Sequence, residues 1–209
     1  MSQPGLKQCD VEQPAELDQE LNEFWIGNPF QIFQHHNLSS FERNRAYLNV
    51  GGKGFLEISH MTSADIDGDS RAVLALDIFE PGQLDLIVRQ VGGGPIEVFR
   101  NQFPKANYLK VSLDGIKSNS LGIGSKIIAH VGEQKIVREL YPINTYHSQQ
   151  PAWVHFGLGQ TEKIDKLEIR WPSGVVQELN NVEANRHILV VEESDEIRDY
   201  AFSKPARTK

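Results

Sequence analysis

Leu109-Lys-Val-Ser-Leu-Asp-Gly115, Lys117-Ser-Asn-Ser-Leu-Gly-Ile-Gly-Ser-Lys126, Tyr146-His-Ser-Gln149, His155-Phe-Gly-Leu-Gly159 and Trp171-Pro-Ser-Gly-Val175 follow one another through residues 109–192. In the first run Leu109, Val111 and Leu113 alternate with Lys110 and Ser112, which predicts a strand over 108–113 with one apolar and one polar face. Residues 126–131 and 135–140 are β-branched runs on either side of Gly132 and Glu133, a natural two-residue hairpin turn. The runs 164–171 and 175–179 flank Pro172-Ser-Gly174. There Pro presets the first turn dihedral and Gly174 can take a positive φ. The strand predicted at 187–192 closes the set, and the regular spacing of short strands and turns is that of an all-β sandwich.

Upstream, residues 44–59 read as a hairpin around a Gly-rich loop at 51–54, followed by short strands at 71–78, 84–91 and 96–103, each bounded by Gly or Pro. Residues 1–22 are rich in Gln, Glu, Asp and Pro and predict a mobile arm, with one short helix near 14–24 from the spacing of Leu17, Leu21 and Phe24. Phe24, Trp25, Ile26, Phe30, Ile32 and Phe33 form an aromatic cluster expected to pack on the sheet that follows. From Ser194 the chain turns charged and is expected to fray or to act as a docking arm.

The chain has 209 residues, 21 Lys plus Arg against 28 Asp plus Glu and a formal charge of -7. That balance disfavours a phosphate-tracking surface, so nucleic acid is not an expected partner. The single cysteine, Cys9, excludes an intrachain disulfide and a cysteine zinc site. No apolar run reaches the roughly 18 residues of a membrane span, and the first ten residues lack the apolar region of a secretory signal.

Two carboxylate groups invite a metal reading. Asp65-Ile-Asp-Gly-Asp69 places Asp65, Asp67 and Asp69 at alternate positions. Hard oxygen ligands crowded in this way suit calcium better than zinc, against the plainer reading of a solvated acidic turn. The loop departs from an EF-hand, since Gly68 is fourth and Leu76 stands where the closing Glu belongs. His147 and His155 lie in the most punctuated stretch, but no Gly-x-Ser-x-Gly elbow accompanies them. His35, His36 and His60 show no His-Glu-x-x-His spacing either. A half-buried histidine with one satisfied nitrogen is the expected role, and no catalytic residue is assigned. Gly92-Gly-Gly-Pro95 is a loop without the pattern of a phosphate cradle.

The five motifs of residues 109–192, taken in order, resemble the ASPIC/UnbV domain. Asn44, Leu48, Asn49, Gly54 and Phe55 resemble the outer hairpin of an FG-GAP or VCBS blade, and Ile96-Glu-Val-Phe-Arg-Asn101 resembles the start of another. The two together resemble the cartilage-acidic-protein-like family. The resemblance implies an N-terminal arm over 1–43, a partial repeat over 44–104, an ASPIC/UnbV-like sandwich over 105–193 and a charged tail over 194–209. It further implies an exported protein, extracellular or periplasmic, in tension with the absent signal, which keeps a cytoplasmic setting open. FG-GAP blades often hold calcium in an Asp-x-Asp-x-Asp-Gly-x-x-Asp loop; Asp77, Gly82 and Asp85 match it, whereas Phe79 and Pro81 stand in carboxylate positions. Ser120 stands where the family usually carries Arg. The function implied is non-catalytic binding or assembly, calcium-assisted in the family's manner, with a protein partner, a second copy or a glycan as ligand. The competing classes are an accessory enzyme of natural-product or polysaccharide chemistry and a structural subunit of a larger complex. One repeat and a fraction cannot close a propeller, so Leu74, Leu76, Ile78, Leu86, Val88, Ile96 and Val98 are expected to need cover on both faces.

Overall fold

The computed structural model describes residues 43–66, 70–90, 95–143 and 148–200. The expected helix near 14–24, the aromatic cluster at 24–33, the glycine run at 92–94, Asp67, Asp69 and His147 lie outside the described residues. The fold is all-β, with a single four-residue helix among the described elements. No helix among the described residues is long and apolar enough to cross a membrane. Two compact units divide the chain, Met1–Asp69 and Ser70–Lys209.

In the first unit β1 (Tyr47–Asn49) pairs antiparallel with β2 (Phe55–Glu57), and α1 (Ser59–Thr62) follows. The glycine loop forms the expected hairpin, with the Gly52 N–H donating to Asn49 Oδ1 at 2.9 Å.

The second unit opens with a three-stranded antiparallel sheet of β3 (Ser70–Leu76), β4 (Asp85–Gln90) and β5 (Ile96–Phe99). Val88 on the central strand is buried, while Ile78, Leu86, Ile96 and Val98 are exposed. Ile96 and Val98 belong to β5, an edge strand with a neighbour on one side only.

Seven longer strands, with a short eighth at the edge, make the sandwich. They are β6 (Asn107–Asp114), β7 (Lys126–Val131), β8 (Gln134–Glu139), β9 (Trp153–Gly159), β10 (Lys163–Arg170), β11 (Val176–Glu183), β12 (Arg186–Val191) and β13 (Ile197–Asp199), eight in all. One sheet runs β13-β12-β6-β9 and the other β11-β10-β7-β8. All pairings are antiparallel except β6 with β12, which run parallel. The predicted turn at Gly132 and Glu133 joins β7 to β8, with Val131 opposite Gln134. Leu109, Val111, Leu113, Val154, Phe156, Leu158, Ile188 and Val190 from the first sheet meet Ile127, Ala129, Ile164, Leu167, Ile169, Leu179 and Val182 from the second in one buried core. Two strands exceed the sequence reading: β9, and β13 where the charged composition predicts fraying.

Gly122 shows how tightly the motif stretch is packed. Its φ is +64°, and a Cβ there would lie 2.7 Å from Leu113 and 3.2 Å from the Trp171 ring. Gly122→Ala is expected to cost about 2–4 kcal/mol through left-handed strain plus overpacking, read as a lower urea midpoint at unchanged slope.

Candidate functional site

The outer face of β6 carries the first cluster of interest. Alternation turns Lys110 and Ser112 away from the core, yet Lys110 is only 9% exposed and Ser112 is also buried. Strand register explains the neighbours: Lys110 stands opposite His155 of β9 and His187 of β12, and Ser112 opposite Trp153. Tyr200, just beyond β13, donates its N–H to the His187 carbonyl at 2.8 Å. The result is a row of polar and aromatic side chains across the sheet.

The 77–84 turn closes over this row. Lys110 Nζ donates to Asp77 at 2.7 and 2.9 Å and lies 4.7 Å from the centre of the Trp153 ring. His155 Nε2 donates to the Gly82 carbonyl at 2.9 Å and its ring stacks on Tyr108. This is the half-buried histidine with one satisfied nitrogen that is expected of it. Gly82, at φ +77°, packs so closely on Tyr108 that a Cβ would overlap the ring. Ser112 Oγ and His187 Nε2 are 2.9 Å apart, and His187 stacks on Tyr200 at 4.2 Å.

Electrostatics follow from this packing. Burial, reinforced by the Lys110 charge, lowers His187 to about 4. Burial also lowers His155. Burial acts to raise Asp77, but the Lys110 and Gly82 hydrogen bonds outweigh it and the carboxyl lies below its ordinary value. Both histidines are thus neutral at neutral pH, beside the Lys110–Asp77 pair.

A second cluster absorbs the motif residues. Parallel register sets Val191 beside Asp114, so the residue after β12 enters the loop after β6. That residue is Glu192, 0% exposed. Its Oε2 accepts the N–H groups of Ile116, Lys117 and Ser118 at 2.7, 2.7 and 2.8 Å. Its Oε1 accepts the Ser118 and Ser173 hydroxyls at 2.9 and 2.5 Å. Burial favours the protonated acid, but these donors outweigh it and hold Glu192 at about 2. Gln177 completes the tie, accepting from Trp171 Nε1 at 3.0 Å and donating to the Val191 and Ser194 carbonyls.

These shifts set a pH dependence. Groups depressed in the fold stabilise it above their unfolded pKa, and that contribution is lost as pH falls through the folded value. His187 therefore withdraws stability between about pH 6.5 and 4, and Glu192 between about pH 4.5 and 2. Urea titrations at pH 7, 5 and 3 should show two successive losses, the upper reduced in His187→Gln and the lower in Glu192→Gln.

The carboxylates marked in the sequence are engaged by donors of the protein. Asp65 Oδ2 pairs with Arg43 at 3.1 Å and His60 Nδ1 at 2.7 Å. Asp77 holds Lys110. Asp85, 1% exposed, accepts the N–H groups of Asn101, Ile78 and Phe79 at 2.8, 3.0 and 3.2 Å. Asp77 and Asp85 as they stand would have to release these donors before ligating calcium, which takes six to eight oxygens. No group of three or more metal-ligating side chains occurs among the described residues.

Sequence reasoning singled out none of Lys110, His187 and Glu192. Their signals were present, a lysine and a glutamate beside apolar strand residues, but such residues ordinarily face water. No curated protein matches the chain. Residues 115–197 match the family described as ASPIC and UnbV, a segment that contains Ser118, Gly122, Ser173 and Glu192 and begins just after β6.

Proposed function

We propose that the chain is a non-catalytic binding module in which the sandwich is the scaffold and the three-stranded sheet with its turns meets the partner. The observation that supports this reading is the use of Ser118 and Ser173, the hydroxyls of the motif stretch, as donors to buried Glu192. They are spent on architecture. Phe79, Ile96, Val98 and Phe103 of the second unit, by contrast, are exposed, and apolar side chains gathered at a surface mark interaction sites.

The competing enzyme reading has one arrangement in its favour, Ser112 beside the neutral His187. Ser112 is buried in mid-strand, without the turn that presents a nucleophile. The test is the mass of the native particle and of the double variant Ile96→Lys, Val98→Lys. A particle heavier than the 23.6 kDa chain, returned to that mass by the variant with melting unchanged, is expected. A wild-type particle at the chain mass with no bound ligand, or covalent labelling of Ser112 by a fluorophosphonate, would contradict the reading.

A further inference from the structure

We infer that residues 194–200 form an acid-released strap along the edge of the sandwich, latched by the stack of Tyr200 on His187. The strap runs from the turn after β12 through β13 to Tyr200. Its base is fixed, since buried Gln177 donates to the Ser194 carbonyl at 2.6 Å and the Ser194 N–H donates to the Val191 carbonyl at 3.1 Å. Its length is held more lightly. Asp199, Arg198 and Ile197 pair with Ile188, Leu189 and Val190 of β12, and Ile197 packs on the core while Arg198 and Asp199 are exposed. A short edge with so little buried apolar surface opens locally at a fraction of the global cost. What it shields is the outer edge of β12, which has β6 on its other side.

The latch lies at the far end. Tyr200 donates its N–H to the His187 carbonyl at 2.8 Å, and its ring stacks on the imidazole at 4.2 Å. Trp153 meets the same imidazole edge-on at 6.5 Å, and Ser112 Oγ lies 2.9 Å from Nε2. Two aromatic rings and a hydroxyl accept the neutral imidazole and penalise the imidazolium. The charges facing it give a proton little compensation. Lys110 of β6 stands opposite His187 in register and opposes a second cation, while Asp77, which favours one, is already held by Lys110. On the strap, Asp199 pairs with Arg186 at 2.8 Å and Arg198 with Glu196 at 2.6 Å.

Lifting the strap returns the imidazole to water, so protons favour the lifted state. With the strap closed His187 lies at about 4, below its ordinary 6.5. The closed state is therefore fully favoured above pH 6.5 and loses that advantage as pH falls through 4. Complete release of the ring would make opening about twentyfold more favourable at pH 5 than at pH 7. Trp153 and Lys110 stay with the sandwich and retain part of the shift, so about fivefold or more is expected.

Amide exchange of the full chain at pH 7 and pH 5, corrected for the intrinsic pH dependence of exchange, tests the strap. The Tyr200 N–H is expected to be less protected than that of Val111 in β6 at both values, and its protection to fall about fivefold or more at pH 5. The fall should vanish in His187→Gln, which keeps the backbone carbonyl that Tyr200 binds, and persist in Asp199→Asn. Equal protection of Tyr200 and Val111 would show that the strap opens only with the whole fold, and a Tyr200 protection that ignores pH would remove the acid response; either overturns the inference. A fall retained in His187→Gln overturns the latch. Tyr200→Ala provides a reading that does not depend on the folding of that variant: the His187 ring, titrated by NMR, should have its midpoint raised by about one pH unit or more, and an unchanged midpoint would show that the strap is not what encloses the ring.

Discussion

Glu192→Ala is expected to destabilise the second unit by about 3–5 kcal/mol, because three backbone N–H groups and two hydroxyls lose a buried, charged acceptor, each such hydrogen bond being worth about 1.5–3 kcal/mol less what water and relaxation recover. The loss should not be confined to one loop. Glu192 joins the 116–118 loop to Ser173 in the turn between β10 and β11, and those strands belong to the opposite sheet from β12. Removing the carboxylate therefore loosens a tie between the two layers at one end of the sandwich. Glu192→Gln separates charge from shape. Its oxygen can still accept from the three N–H groups, and its amide can donate to the serine hydroxyls, so a smaller cost of about 1–2 kcal/mol is expected. Urea unfolding followed by tryptophan fluorescence measures both, since Trp171 lies in the same buried network.

Breaking the Lys110–Asp77 pair is the second large effect. Their side chains are 11% and 14% exposed and meet at 2.7 Å. Lys110→Met strands the Asp77 carboxylate, and Asp77→Leu strands the ammonium, so each single change is expected to cost about 3–5 kcal/mol. The double variant should cost less than the sum, because an apolar pair of similar volume leaves no uncompensated charge. Additive losses in the completed double-mutant cycle would show that the two side chains do not depend on each other. The pair also anchors the 77–84 turn to β6, so Lys110→Met should loosen that turn.

Much of the fold was legible because its signals are local. The alternation of β6, the Gly132 turn and the Pro172-Ser-Gly174 turn each speak within a few residues, and strands stand at all three places. What was missed depends on distant pairing. β9 holds Val154, Phe156 and Leu158 in strict alternation, but Gly157 and Gly159 between and beside them read as loop. β13 holds one apolar residue, Ile197, and is secured by pairing with β12 rather than by its own propensity.

The site was less legible for the same reason. Lys110 reads as solvent-facing until a turn 33 residues earlier in the chain covers it. Glu192 reads as the polar exit of a strand until parallel register carries it beside Ile116 and Ser118, more than 70 residues away. Asp77 and Asp85 were visible as turn carboxylates, but composition cannot say whether the donors they meet are lysine and backbone N–H groups or a cation.

Amide hydrogen exchange of Ile116, Lys117 and Ser118 at neutral pH tests most directly whether the motif stretch is organised around Glu192. These three N–H groups belong to a loop, and loop amides exchange quickly unless something holds them. In the wild-type chain they are expected to be protected as strongly as core amides of β6, and in Glu192→Ala to exchange as an open loop, while Leu109 and Val111 lose only the part of their protection that the global destabilisation removes. Rapid exchange at all three positions in the wild-type chain would contradict the account.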